Sequence, residues 1–197
     1  MQDEILHFWF AGLEGEGVPP PERLRFWFNG GEQVDGLIRE RFAQVVERAG
    51  MGEFDDWRQT PRGSLALLVL LDQFPRNMYR DSARAYAYDP KALEICTAGL
   101  NIGQDQALNL VERAFFYLPL EHAEDLAMQE RSVALFAQLL AEAPPVLREV
   151  CSGFYDYALR HQAVIARFGR FPHRNRALGR VSTAAEEEFL RQPGSSF

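Results

Sequence analysis

The sequence predicts an all-α protein of about eight to ten helices in antiparallel hairpins. Three observations predict it. Apolar residues recur at three- and four-residue steps along most of the chain, no stretch alternates with period two for long, and caps and breakers punctuate the chain at short intervals. The 197 residues suit one domain, and 47% apolar against 25% charged residues argues against global disorder.

The first helical segment opens at Pro19-Pro20-Pro21 and stops at Gly30-Gly31. From Glu32 to Ala49, Val34, Leu37, Ile38, Phe42, Val45 and Val46 make one helix face, with Gly50 behind it. Thr60-Pro61 reads as an N-cap and first helical residue; that helix runs through the apolar stretch Leu65–Leu71 and is expected to end near Phe74, because Pro75 follows. Asp89-Pro90 repeats the cap-plus-proline start. Asp105 is expected to cap the next helix, which reaches Leu118-Pro119, and a further helix is expected from about Glu121 to Ala143, closed by Pro144-Pro145. Val146 to Phe168 carries Val150, Phe154, Tyr157, Ala158, His161, Ile165 and Phe168 at helical spacing, with Gly169 behind. Thr183-Ala184-Ala185-Glu186 is a capping box for a last short helix. Residues 1–191 thus form a single helical domain, with 192–197 expected to be a frayed, disordered tail.

A net charge of −7 makes nucleic acid and anionic membranes poor partners. The longest uninterrupted apolar run has seven residues, Leu65–Leu71, too few to span a bilayer. The acidic start Met1-Gln2-Asp3-Glu4 lacks the basic character of a signal peptide, and Cys96 and Cys151 have neither disulfide-framework nor metal spacing, so a cytoplasmic location is expected. Both cysteines read as small buried hydrophobes.

Three polar constellations stand out. Asp72-Gln73-Phe74-Pro75-Arg76-Asn77 follows the most apolar run, so its carboxylate is expected to be buried and to need Arg76 as partner, with Asn77 capping a sharp helix exit. Glu121-His122-Ala123-Glu124-Asp125 places acids and a histidine at helix spacing. A metal or an acid-oriented base would suit it; first-turn acids are common for dipole reasons, and with one histidine and no second ligand motif the metal is the lesser reading. From His161 to Arg180 there are five arginines, at 167, 170, 174, 176 and 180, and no acid. Such a positive island suits a small anion, or pairs with acids elsewhere. Only Lys91 accompanies the twenty arginines. The two Phe-Trp-Phe segments, 8–10 and 26–28, read as core packing or the lid of one end of the bundle, with an aromatic slot for a ligand as the alternative; His7 reads as a half-buried packing residue, and His161 as a residue on the apolar face of its helix.

These same segments, Leu70–Arg80, Phe116–Asp125 and Arg167–Asn175, closely resemble the mostly bacterial family called domain of unknown function 924. The likeness extends to the N-terminal Trp-Phe segments and to Leu178–Thr183. It implies a tetratricopeptide-like fold of helix hairpins in a compact superhelix, although the tetratricopeptide consensus itself is not legible. The family implies no reaction, cofactor or partner.

The expectation is therefore one pocket where helix ends meet. Asp72, Glu121, His122 and His173 are its candidate catalytic groups. Arg76, Asn77, Glu124, Asp125, His161, Arg170, Arg174 and Asn175 are its candidate ligand-binding groups. The expected ligand is an anionic small molecule held by Arg170 and Arg174, with no cofactor and no metal assigned. One alternative is a non-catalytic interaction module with a protein partner. Another is a purely structural network of Arg–acid pairs.

Overall fold

The helices Gln2–Phe10, Gly31–Gly50, Asp89–Asn101 and Leu110–Glu121 pack directly on the apolar rod. All seven side chains from Leu65 to Leu71 are buried. The computed structural model describes residues 1–13 and 17–195; 76% of the chain is helical, and no strand occurs among the described residues. The expected all-α class of about eight to ten helices stands.

Thr60 caps the rod by accepting the Gly63 N–H at 3.1 Å, and Pro61 takes the first helical position. Helix α4 (Pro61–Leu68) passes through a π-helical turn (Val69–Gln73) into α5 (Phe74–Met78). Pro75 therefore does not end the helix, contrary to the sequence expectation. In a regular α-turn its ring would strike the Leu71 carbonyl, and it has no N–H to donate. The π turn widens the backbone just ahead of it, with Phe74 N–H bonding to Val69 O, and the helix absorbs the proline.

Helices α1 (Gln2–Phe10), α2 (Pro21–Asn29) and α3 (Gly31–Gly50) lie on one side of the rod. Trp9, Phe42 and Phe115 pack on Phe74 or one another at ring separations of 4.9 to 5.8 Å, and the Trp27 indole donates to Trp9 O at 2.8 Å. The Phe-Trp-Phe segments are core, as expected, except that Phe28 is 54% exposed. His7 is exposed rather than half-buried, because Ile5, Leu6, Trp9 and Phe10 define the inward face of α1.

Helices α6 (Asp89–Asn101) and α7 (Leu110–Glu121) also pack on the rod, and α8 (Leu126–Glu142) and α9 (Arg148–Phe168) pack on α7 and on each other. Two expected caps are not caps. Asp89 opens α6 without capping it, and Asp105 accepts the Tyr117 hydroxyl at 2.7 Å, while Asn109 and Glu112 build the capping box of α7. Helix α7 runs through Pro119 to Glu121, and α8 begins only at Leu126, capped by Asp125. Glu121, His122 and Asp125 consequently do not share a helix face, and Glu121 is a last-turn, not a first-turn, acid. Pro119 sits so close to the end of α7 that little of the ladder follows it. The end itself is satisfied from α8, where fully buried Gln129 donates to Glu121 O at 2.6 Å and Ala123 O at 2.8 Å.

Gly169, at φ 68°, closes α9 in the left-handed conformation that favours glycine. Beyond it a short 3₁₀ turn, Pro172–Arg174, returns toward the rod, and α10 (Ala184–Leu190) starts at the predicted Thr183/Glu186 capping box. Val164, Ile165 and Phe171, with Phe168 and Phe189, form a small second core there. Of the tail 192–197, residues 196–197 lie outside the described residues; Ser195 is buried, and its hydroxyl donates to Leu190 O at 3.1 Å. No helix among the described residues is long and apolar enough to cross a membrane.

Candidate functional site

Three helix ends meet at one cleft of about 510 Å³, a size suited to a small molecule. The π turn and α5 supply Gln73, Arg76 and Asn77. The end of α7 supplies Glu121 and His122. Helix α9 contributes His161, and the 3₁₀ turn after it contributes His173 and Arg174. Trp27, Phe28, Tyr86, Phe154 and Tyr157 add aromatic walls.

Asp72 lies directly behind this lining and is 1% exposed. It accepts from His122 Nδ1 at 2.7 Å and lies 3.2 Å from Arg76 Nη1. Burial opposes its charge, but the neighbouring Arg76 and His122 hold the carboxyl well below the usual range. Burial and Arg76 together lower His122. The pair is thus a carboxylate and a neutral imidazole whose Nδ1–H donates, which leaves the lone pair on Nε2.

Glu121 is 3% exposed, and its carboxyl is pushed up to about 8 by burial and the nearby Asp72 charge. Its Oε2 has no hydrogen-bond partner among the described residues. His161, buried on α9 as its apolar spacing implies, places Nδ1 2.9 Å from Tyr157 O and 3.3 Å from Glu121 Oε1. Burial lowers it well below the ordinary histidine value, with His122 adding to the effect.

The guanidiniums differ. Arg76 binds both oxygens of Asp89 at 2.8 and 2.9 Å and is raised by its carboxylate neighbours against the cost of burial. Arg174, 5% exposed, reaches Asp89 Oδ2 only at 3.5 Å, and its Nε is buried with no partner among the described residues. It stacks over Phe171 at 4.4 Å and Tyr86 at 4.7 Å. Burial and Arg76 lower it to about 10. Burial and Arg174 lower His173 to about 4.

The other expected site residues sit elsewhere. Arg170 is held by Glu186 at 2.7 and 2.8 Å and by Val181 O, so it does not line the cleft. Glu124 accepts Phe171 N–H and both Arg180 donors. Asn175 bonds Ser182 and Arg180, and Asp125 caps α8. Asn77 lines the cleft but gives its amide to Asp35 at 3.0 Å; it is not a helix cap. Sequence reading missed Asp89, whose position before Pro90 resembles a cap, and the walls made by Tyr86, Phe154 and Tyr157; Trp27 and Phe28 fall in a segment for which an aromatic slot is the alternative to core packing.

An all-helical fold with an arginine-, histidine- and carboxylate-lined cleft is the class defined so far. Residues 5–194 match the family described as bacterial protein of unknown function DUF924, and the chain belongs to that family. It is also similar to a solved structure of a protein of unknown function from Agrobacterium tumefaciens, at 36% identity over 96% of each chain, with a TM-score of 0.81. A search of curated proteins finds no match.

Proposed function

We propose that the cleft binds a small molecule with an anionic head and an apolar or aromatic body. Arg174 is the observation that carries this. A buried guanidinium ordinarily has carboxylates or carbonyls on its donors, because an uncompensated buried charge is costly. Arg174 has one long contact and an unused Nε, beside the open volume. A carboxylate or phosphate accepting from it would supply what the protein does not. Phe28, Phe154 and Tyr157 suit the remainder of such a ligand.

His122, oriented by Asp72, is the group placed to move a proton on a bound ligand, with Glu121 and His173 beside it. We assign no reaction type. Thermal unfolding against inorganic phosphate, aryl phosphates and aromatic carboxylates tests the binding. A ligand at 100 times its Kd adds about 2.7 kcal/mol, a shift of roughly 5–10 °C for a chain of this size. The shift is expected from an anion with an aromatic body and is expected to vanish in Arg174→Ala. A shift that survives Arg174→Ala would sink the assignment.

A further inference from the structure

We infer that Glu121, His122 and His161 form a site for one divalent transition metal of the zinc class, open toward the cleft. One ligand atom from each residue lies within 4.8 Å of the other two, so small side-chain movements bring all three onto one ion. Two nitrogens and one carboxylate oxygen are the donor set of a three-ligand zinc site with a fourth position left for solvent or substrate. Magnesium and calcium prefer oxygen alone.

The surroundings of the two histidines are those of metal ligands. His122 gives Nδ1–H to the Asp72 carboxylate at 2.7 Å, and His161 gives Nδ1–H to Tyr157 O at 2.9 Å. A carboxylate or carbonyl on one ring nitrogen fixes the tautomer and aims the lone pair of the other, as outer partners of metal-bound histidines do. Glu121 adds the second observation: a side chain 95% buried, lining the cleft, whose Oε2 has no hydrogen-bond partner among the described residues. A cation at this place would take the proton's place on that buried carboxyl, with the proton released to solvent.

Two arginines stand nearby, but charge does not forbid the ion. The Asp72 and Asp89 carboxylates face Arg76 and Arg174, and Asp89 already neutralises Arg76 bidentately. With an ion bound, the cleft becomes net positive beside Arg174, which favours an anion at the open position. The inference does not depend on the anion-binding reading. For His122 Nε2, metal ligation and proton transfer are exclusive, and a metal titration decides between them.

The test uses the full chain, stripped with chelator and titrated with Zn²⁺ by calorimetry, then loaded with Co²⁺ for its ligand-field spectrum. One ion per chain is expected, with a tetrahedral or five-coordinate Co²⁺ spectrum. Glu121→Gln and His161→Asn are each expected to weaken binding at least tenfold, while His7→Ala leaves it unchanged. Glu121→Gln keeps the side chain's shape, so it guards against a variant that fails to fold. Absence of Zn²⁺ binding, or binding indifferent to both Glu121→Gln and His161→Asn, overturns the site. An anion shift in metal-free protein would meanwhile leave the anion reading intact.

Discussion

Arg170 and Arg180 lie within seven residues of Arg174, yet the two settings are opposites. Arg170 and Arg180 close on Glu186 and Glu124 with paired short bonds, and Arg180 also serves Asn175 and Phe171 O. The carboxylate-facing edges of those guanidiniums are already taken. Arg174 points the other way from the same turn, into the cleft, and shares Asp89 with a competitor that holds it better. Arginine content therefore says little about binding; what matters is how many donors the fold has already satisfied.

The sharpest way to break this contrast is Asp72→Ala. It removes the acceptor of His122 and one partner of Arg76 in a fully buried place, and is expected to cost about 3–5 kcal/mol by denaturant unfolding. A loss below ~1 kcal/mol would mean the cleft floor is not ion-paired as described. Glu124→Ala comes next, at about 1–2 kcal/mol, because it removes the carboxylate shared by Phe171 N–H and the Arg180 guanidinium, which keeps Asn175 and Phe171 O. Arg174→Ala should be milder, no more than about 1 kcal/mol: Asp89 keeps Arg76, and only one long contact and two ring contacts go. A loss of 3–5 kcal/mol there would favour the structural-network reading instead.

The pH dependence separates the regions more gently. His173 in the cleft is lowered to about 4 from 6.5, so the unfolded chain takes up its proton first as the medium acidifies. The stability this group contributes is full above about pH 6.5 and is lost as pH falls toward 4. Glu186 is lowered to about 2, chiefly by its hydrogen bonds from Arg170, and its contribution is full above about pH 4.5 and lost toward pH 2. His173→Asn should flatten the first interval of a stability-against-pH curve and Arg170→Ala the second. Swapped effects would contradict the geometry.

The helical class, the caps at Thr60 and Thr183, and the buried rod Leu65–Leu71 were legible in the sequence, because capping and 3.6-residue periodicity are local. So was the meeting of the three polar segments, though only as an expectation that helix ends carrying charge would find one another. Local rules failed at the prolines. Pro75 and Pro119 resemble stops, but a π turn and a nearby helix end absorb them, which puts Glu121 in the last turn of α7, His122 at its C-cap, and both apart from Asp125. Which arginine stayed open was not local at all: Arg170, Arg174 and Arg180 look alike in sequence, and their partners lie 16, 85 and 56 residues away. The pairing of His161 with Glu121 and His122 across α7 and α9 belongs to the same class. A chain's sequence sets which groups exist and which faces they share along one helix. Donor satisfaction and ligand convergence depend on distances between helices, and only packing sets those.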